Sequence, residues 1–594
     1  MFWIFLLALI VVLVKWPRQL AGPVGMIFGY LVLWTGVSLL CDRVIGEIPF
    51  VGRIAVCALF GAACFFAVRH KPFRDTTVKA VTLYFMVLTT VGALLLWVVE
   101  ADRSVVSRRP VLKETAIVLI NDDGTRKDVR TETHTYTEEY TYKGEKLIDC
   151  WFTSVSAACV TGLIVTDTEQ MSFAGQVIVV LTIQAGGLGI IFFTAFVGFL
   201  IARGGSTRGD LNQLHAEALD VEDRFVSTMI RQVLTITFTL EAIGALILWV
   251  HFQWFTDPAL LRGVPAWWAA VFLAVSAFCN AGFAPWADNL MTFVKDPVVN
   301  GVISGEIIMG GLGYAVLIRI WLWIRVKLGG KNGGVQRLIE QLEVVQATRL
   351  QTWICLQGTV FLLKVGTAVP LLLDWSNPVY ADLNIAQRIM CAFFHSVSAR
   401  TAGFNTVDLG AWSAGTLLVY IVLMFIGTCP QGTGGGIKIT TMRLLLAYVG
   451  NWFREPYHHV VIRKGGEDWL VHRDTMTAAI RLFFSSLLAL WSGAFLIVLF
   501  EQRYLLTPDP TFNYLKVVFE TVSAFATVGL SMGFDGAKTS FAGILTDDSK
   551  IVLCLEMLIG RLSPLTILAL LPWRKEFGSI DAQGAERMKK VQVG

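Results

Sequence analysis

The sequence predicts an all-α polytopic membrane protein made of four copies of one helical unit around a common axis, with extra helices before the first copy. Three observations lead there. The 594-residue chain is 55% hydrophobic, and its charged fraction of 16% falls well below the ~25% usual in soluble domains. Its mean hydropathy is +0.62. The tripeptide Val-Ser-Ala recurs at 155–157, 275–277, 397–399 and 522–524, whereas chance gives a particular tripeptide roughly once in a few thousand positions. Each copy is followed, five or six residues after its Ser, by a glycine and a large apolar residue. These glycines, Gly162, Gly282, Gly403 and Gly529, stand 120, 121 and 126 residues apart, a near-constant period that marks internal repetition.

A spanning helix needs about 20 mostly apolar residues. Four candidates precede the first Val-Ser-Ala, at 2–16, 22–41, 51–68 and 77–99. The first is followed by Lys15 and Arg18 rather than preceded by basic residues, so it reads as a short membrane helix and not a cleaved signal. Arg69, Lys71, Arg74 and Lys79 place the loop before 77–99 in the cytoplasm, and so 101–147 outside. Within that segment, 116–120 and 131–142 are strand-like and Asn121-Asp122-Asp123-Gly124 is a turn signal. A small extracellular β-like insertion is expected there, a mobile polar loop being the alternative.

From 77 onward the unit is a long apolar helix, a short one and a second long one. The first helices are expected at 77–99, 227–251, 351–374 and 477–500, and the short ones at 148–160, 266–280, 386–400 and 513–526. The second long helices fall at 173–202, 299–326, 413–447 and 549–573. Basic residues crowd the linkers between units (Arg203, Arg208, Arg224; Arg325, Lys327, Lys331, Arg337; Arg443, Arg454, Arg463, Lys464), so both ends of each unit are cytoplasmic. Two spanning helices satisfy this, and the short segment must enter and leave by the outer face. About 12 helical residues cover only ~18 Å, too short to span. The units are 1–75 (N-terminal helices), 76–205 (with the insertion 101–147), 206–330, 331–450, 451–576 and a tail at 577–594.

The four endings after the short helices are Val160-Thr161-Gly162, Asn280-Ala281-Gly282, Thr401-Ala402-Gly403 and Thr527-Val528-Gly529. Irregular backbone survives at membrane depth only where it lines protein or water. Carbonyl oxygens there replace a cation's hydration shell, and the short helices point their partially negative ends at the centre. Four such quarters make a cation filter with no charged side chain. The alternative is that small residues serve close helix packing.

With these segments go Gln184-Ala185-Gly186-Gly187-Leu188-Gly189, Gly434-Gly435-Gly436-Ile437-Lys438 and Arg561. Together they resemble the Trk, Ktr and HKT superfamily of potassium transporters, the bacterial Trk/Ktr pore subunits most closely, over about 77–575. The resemblance implies four helix–pore helix–helix repeats around one pore, K+ as the transported ion and no cofactor on this chain. It also implies a homodimer, each subunit with its own pore, docked on a cytoplasmic nucleotide-binding regulatory subunit. Glycine in all four filter segments goes with potassium selectivity in that family. The third segment is one residue shorter between Ser398 and Gly403, which leaves the alignment of Ser398 open.

The second helices share a G-x-L-small frame at Gly186, Gly310 and Gly560, and in the fourth the x is Arg561, ~15 Å into the membrane. Such a charge faces a polar cavity or a partner. It is either a barrier below the filter, the role the resemblance implies, or one half of a pair with Glu556. In the third repeat Gly427-Thr428-Cys429-Pro430-Gln431-Gly432-Thr433-Gly434-Gly435-Gly436 cannot be regular helix. Gly434 lies 31 residues after Gly403, as Gly560 lies 31 after Gly529. This stretch resembles the family's gating loop, so Gly432, Thr433, Gly434, Gly435 and Gly436 are gate candidates, a passive kink being the alternative. Arg400 either braces the third segment against Glu520 or Asp149 or lies at the outer mouth, and Lys438 and Arg443 mark the cytoplasmic end of the broken helix.

Scattered basic residues and a net charge of +4 give no nucleic-acid surface, and the lipid bilayer is the surrounding partner. Ten cysteines form no C-x-x-C pair and read as small buried hydrophobes. No phosphate-binding loop occurs, since Ile437 interrupts the G-K pattern, and transport without an energy-coupling domain is passive unless a partner intervenes. His395 and His458-His459 lack metal-ligand spacing, which argues against an enzyme. A cation-coupled symporter would need a membrane carboxylate; Glu241 and Glu556 are the candidates.

Overall fold

The computed structural model describes residues 77–100, 104–120, 126–143, 146–203, 214–327, 349–452, 461–464, 467–471, 473–502, 513–533 and 539–562. The predicted helices before residue 77 and the tail at 577–594 lie outside these residues.

The first repeat is α1 (Thr77–Val99), α2 (Leu147–Ala158) and α3 (Phe173–Arg203); the second is α4 (Leu214–Trp254), α5 (Ala266–Cys279), α6 (Pro297–Leu312) and α7 (Tyr314–Lys327). The third is α8 (Arg349–Leu373), α9 (Ile385–Ser398), α10 (Ala414–Phe425) and α11 (Ile439–Trp452), and the fourth α12 (Arg473–Phe500), α13 (Tyr514–Phe525) and α14 (Asp547–Leu562). Ile230–Trp254, Leu350–Leu373 and Thr475–Phe500 are long and apolar enough to cross a membrane. The short helices α2, α5, α9 and α13 have 12 to 14 residues. Every residue of α2 is buried. The first helices instead turn bulky apolar side chains outward: Leu488, Trp491 and Phe495 of α12 are each more than 60% exposed. Their i, i+3, i+7 spacing makes one apolar face, which suits contact with lipid.

Each first helix packs on the short and second helices of its own repeat, and each second helix packs on the short helix of the next: α3 on α5, α6 on α9, α10 on α13 and α14 on α2. The last contact closes the series into a ring. A buried ion pair marks that seam, Lys550 of α14 to Asp149 of α2 at 2.7 Å.

A glycine in each first helix lets the neighbours approach. Gly92 meets the Ser154 hydroxyl, Gly244 the Glu306 carboxyl, Gly366 the Ser396 hydroxyl and Gly493 the Glu556 carboxyl, all closer than a Cβ would permit. A carboxylate also ties the far end of three first helices to the start of the second. Glu100 accepts from Ser172 N and Oγ (3.1 and 2.6 Å), Asp374 from Ser413 Oγ (2.9 Å) and Thr416 Oγ1, and Glu501 from Thr546 N (2.8 Å) and Ser549 Oγ (2.7 Å). These oxygens take up donors that a helix N-terminus leaves unpaired. In the second repeat the acid has moved: Asp296 caps its own helix through Val298 N and Val299 N (2.9 and 3.1 Å), and His251 of α4 reaches it at 2.6 Å.

The insertion is an antiparallel hairpin, β1 (Ser104–Ile120) with β2 (Arg126–Lys143), paired from Ser104↔Lys143 to Ile120↔Arg126. Its first strand extends well beyond the predicted 116–120. A second, small hairpin, β3 (Val461–Lys464) and β4 (Glu467–Leu470), lies between the third and fourth repeats. It was not among the predicted elements, although Gly465-Gly466 between the strands is a two-residue hairpin signal.

The third second helix breaks as expected, between Phe425 and Ile439. The second repeat departs from expectation. The helix predicted over 299–326 is interrupted at Gly313, which has φ +81°. A Cβ there would collide with the Pro430 carbonyl of the third repeat, so the break and the close approach are one feature.

Candidate functional site

The four predicted filter segments share one backbone conformation. Their first residues have positive φ although none is glycine: Val160 (56°), Asn280 (61°), Thr401 (71°) and Thr527 (50°). Their third residues, Gly162, Gly282, Gly403 and Gly529, lie at 93°, 72°, 81° and 89°. Positive φ in four β-branched or polar residues costs free energy and persists only where the surroundings hold it.

The serine of each Val-Ser-Ala does much of that holding. Ser156 Oγ accepts from Gly162 N and Ser523 Oγ from Gly529 N, both at 3.0 Å. Ser276 Oγ donates to Phe283 O at 2.7 Å and Ser398 Oγ to Phe404 O at 2.5 Å. The serine carbonyls accept from Thr161 N, Ala281 N, Ala402 N and Val528 N at 2.7 to 2.9 Å. Ser398 therefore takes the same place as its counterparts despite the shorter spacing. The repeat of this serine was legible, but its bonding to the segment was not.

The segments form a closed ring. A Cβ on Gly162 would strike Ala281 O, on Gly282 it would meet Ala402 O, on Gly403 it would strike Val528 O, and on Gly529 Thr161 O. Each glycine thus lies against the middle carbonyl of the next segment, and the fourth against the first. The predicted residues Val160, Thr161, Ala281, Ala402 and Val528 are all fully buried around this ring. Behind it, Gly186, Gly310 and Gly560 of the G-x-L-small frame abut carbonyls in the last turns of the short helices, Ala158 O, Phe278 O and Phe525 O.

The broken stretch of the third repeat lies directly against this ring. Gly435 N donates to Thr527 Oγ1 at 3.0 Å, Gly434 meets the Thr401 hydroxyl, and Thr433 Oγ1 donates to Phe278 O at 3.3 Å. Cys429 N bonds Gly311 O (3.1 Å), Thr433 N bonds Gly310 O (3.2 Å) and Tyr314 N bonds Gln431 O (3.2 Å). The irregular loop and the broken helix of the second repeat thereby satisfy each other's backbone groups, as low-dielectric surroundings require. Gly432 packs on Gly311 O, and Gly436 turns back on Gly427 with φ +67°.

Arg561 is buried and donates to Thr433 O of the loop and to Gly186 O (3.1 Å) of the first repeat. Glu556 stands elsewhere, beside Gly493, so the alternative of an Arg561–Glu556 pair is not what forms. Lys438 directly precedes α11, and its Nζ reaches back to donate to Gly434 O at 2.5 Å. Arg400 braces neither acid, because Asp149 is paired with Lys550 and Glu520 accepts from Ala542 N (2.9 Å). Nor is it at a mouth; it is buried with Thr428 and Gly311 beside the loop. The short helix delivers it there because it directly follows the helix end that points at the centre. Glu241 accepts from Gln184 Nε2 at 3.2 Å and from the thiol of Cys279, the residue before the second segment, at 3.9 Å. Among the described residues no group of three His, Cys, Asp or Glu could hold a metal, and His395 bonds the Cys391 carbonyl at 2.9 Å.

The family model for the cation transport protein TrkH matches residues 77–575, all four repeats. The chain belongs to the TrkH family. Within that family, Ktr system potassium uptake protein B of Vibrio alginolyticus is 34% identical over 438 residues, covering 73% of this chain and 86% of the relative. The protein of the same name from Bacillus subtilis (strain 168) is 32% identical over 430 residues, 71% of this chain and 85% of its own. The potassium/sodium uptake protein NtpJ of Enterococcus hirae is 29% identical over 423 residues, with shares of 71% and 84%. The crystal structure of the potassium transporter TrkH from Vibrio parahaemolyticus superposes with a TM-score of 0.60 at 18% identity, covering 94% of this chain and 99% of that one. The fold is thus that of TrkH, a multi-pass membrane transporter and not an enzyme.

Proposed function

We propose that this TrkH-family chain takes up potassium through the ring closed by Gly162, Gly282, Gly403 and Gly529. The observation that carries the reading is that ring: four glycines, each against the middle carbonyl of the next segment. It leaves backbone oxygens as the groups lining the axis, a cage suited to a weakly hydrated monovalent cation. The names of the relatives, potassium uptake proteins, agree with that choice. The units 76–205, 206–330, 331–450 and 451–576 act as its quarters, and permeation is passive.

The loop with Gly432, Thr433, Gly434, Gly435 and Gly436 acts as the gate. It occupies the inner side of the ring through Gly435 and Thr527, and Arg561 holds it by the Thr433 carbonyl. Opening requires Arg561 and Lys438 to release those carbonyls. The chain works as a homodimer on a cytoplasmic nucleotide-binding subunit, a reading in keeping with the word "system" in the names of the Ktr relatives.

The test is rescue of a potassium-uptake-deficient bacterium. The wild-type chain should restore growth at low potassium, while Gly162→Ser and Gly529→Asp should fail to; equal growth of all three would remove the ring from the pathway. Deleting residues 428–434 should raise basal flux in vesicles, and an unchanged flux would remove the loop from gating. A reversal potential that moves with pH at fixed potassium would favour proton-coupled symport instead.

A further inference from the structure

Three cations surround the loop of the third repeat, and no carboxylate bonds any of them among the described residues. Lys438 and Arg561 spend donors on loop carbonyls. Arg400 differs. It is 5% exposed, and its Nε is a buried donor with no hydrogen-bond partner. A guanidinium carries five donors, and a buried donor of a charged group left unbonded is costly in a protein interior.

Arg400 lines a small cavity with Thr428, Thr359, Leu363, Ile307 and Gly311. The hydroxyl of Thr428, itself 1% exposed, is a second polar group there without a partner. The two residues that bear these unpartnered groups, one just after the short helix α9 and one in the loop, therefore line one small space. Its volume, about 10 Å³ open to the centre of a water-sized sphere, admits a single-atom ligand and excludes phosphate or sulfate. The titratable groups acting on Arg400 are the thiols of Cys355 and Cys429, and no carboxylate is among them.

We infer that this cavity is a halide site, in which a chloride or bromide ion is bound by the Arg400 guanidinium and the Thr428 hydroxyl, between the third segment of the ring and the loop. The aliphatic walls favour the more weakly hydrated halides. The ion neutralises one of the three cations and joins the loop to the ring by a contact that no protein group makes.

The experiment uses the purified full-length chain. Its thermal unfolding is compared in potassium bromide, potassium chloride and potassium gluconate, and bromide is located by anomalous scattering in crystals. Wild-type chain should unfold at a higher midpoint in bromide and chloride than in gluconate, with a bromide peak against the Arg400 guanidinium. Thr428→Val removes the hydroxyl at nearly constant volume and should raise the half-effective bromide concentration roughly tenfold; Arg400→Gln should abolish the dependence. Thr428→Val keeps the test open if Arg400→Gln does not fold. Equal midpoints in all three salts, or bromide peaks only elsewhere, would mean that the cavity holds water and would overturn the site. Neither readout depends on ion flux, so this result stands apart from the proposed transport function.

Discussion

At the scale of single residues, the four serines of Val-Ser-Ala divide into two chemical roles with different consequences. Ser156 and Ser523 accept from the N–H of a ring glycine, whereas Ser276 and Ser398 donate to a carbonyl beyond it. A buried N–H left unpaired costs about 1–3 kcal/mol, and a carbonyl with a spare lone pair is tolerated better. Ser156→Ala and Ser523→Ala should therefore lower the unfolding midpoint and the discrimination between rubidium and sodium more than Ser276→Ala and Ser398→Ala do. Equal losses across the four variants would contradict the assigned bonds. Much of this scale was legible beforehand, because a three-residue word repeated four times at one period needs no tertiary knowledge. The direction of each serine's bond was not, since Ser276 donates at the same six-residue spacing at which Ser156 and Ser523 accept, and only the turn of the segment decides it. The position of Arg400 was also hidden: sequence gives its place at a helix end but not which of several neighbours lies behind it.

At the scale of elements, the joints between first and second helices depend on buried carboxylates that sequence reading passed over. Glu100, Asp374 and Glu501 fall at helix ends in a region read only for its length and hydropathy, and their partners are 39 to 72 residues away. For Asp374, burial alone would push the carboxyl up. The hydrogen bonds from Thr416, Asn377 and Ser413 together outweigh it and hold the carboxyl below its usual range. A depressed value means that the stabilisation is present above the ordinary carboxylate range and is lost as pH falls through the depressed one. Asp374→Asn should cost about 1–2 kcal/mol at neutral pH, and its unfolding midpoint should converge on that of the wild type on acidification. A gap that stayed constant with pH would show that the ionised form is not what the joint uses. The break at Gly313 was likewise invisible from its own helix, because its cause, the Pro430 carbonyl, lies in another repeat.

At the scale of the whole molecule, the four repeats and their order were legible from the period, while the way they close was not. The seam between the fourth and first repeats rests on Lys550 and Asp149, 401 residues apart. Removing one partner of a buried pair strands the other, at about 3–5 kcal/mol, while replacing both by apolar groups often costs little. Lys550→Met should destabilise the chain strongly and Asp149→Leu with Lys550→Met much less, as read from thermal unfolding; a double variant as unstable as the single one would refute the pairing. The ring of glycines has a genetic consequence. All four of its quarters come from one polypeptide, so a cell that makes a defective copy beside an intact one holds two populations of whole rings, never mixed ones. On the proposed pathway through the ring, uptake should then fall only in proportion to gene dosage. Alleles damaged at Gly162, Gly282, Gly403 or Gly529 should behave as recessive, where the same lesion in a ring shared by four separate chains would poison most assemblies.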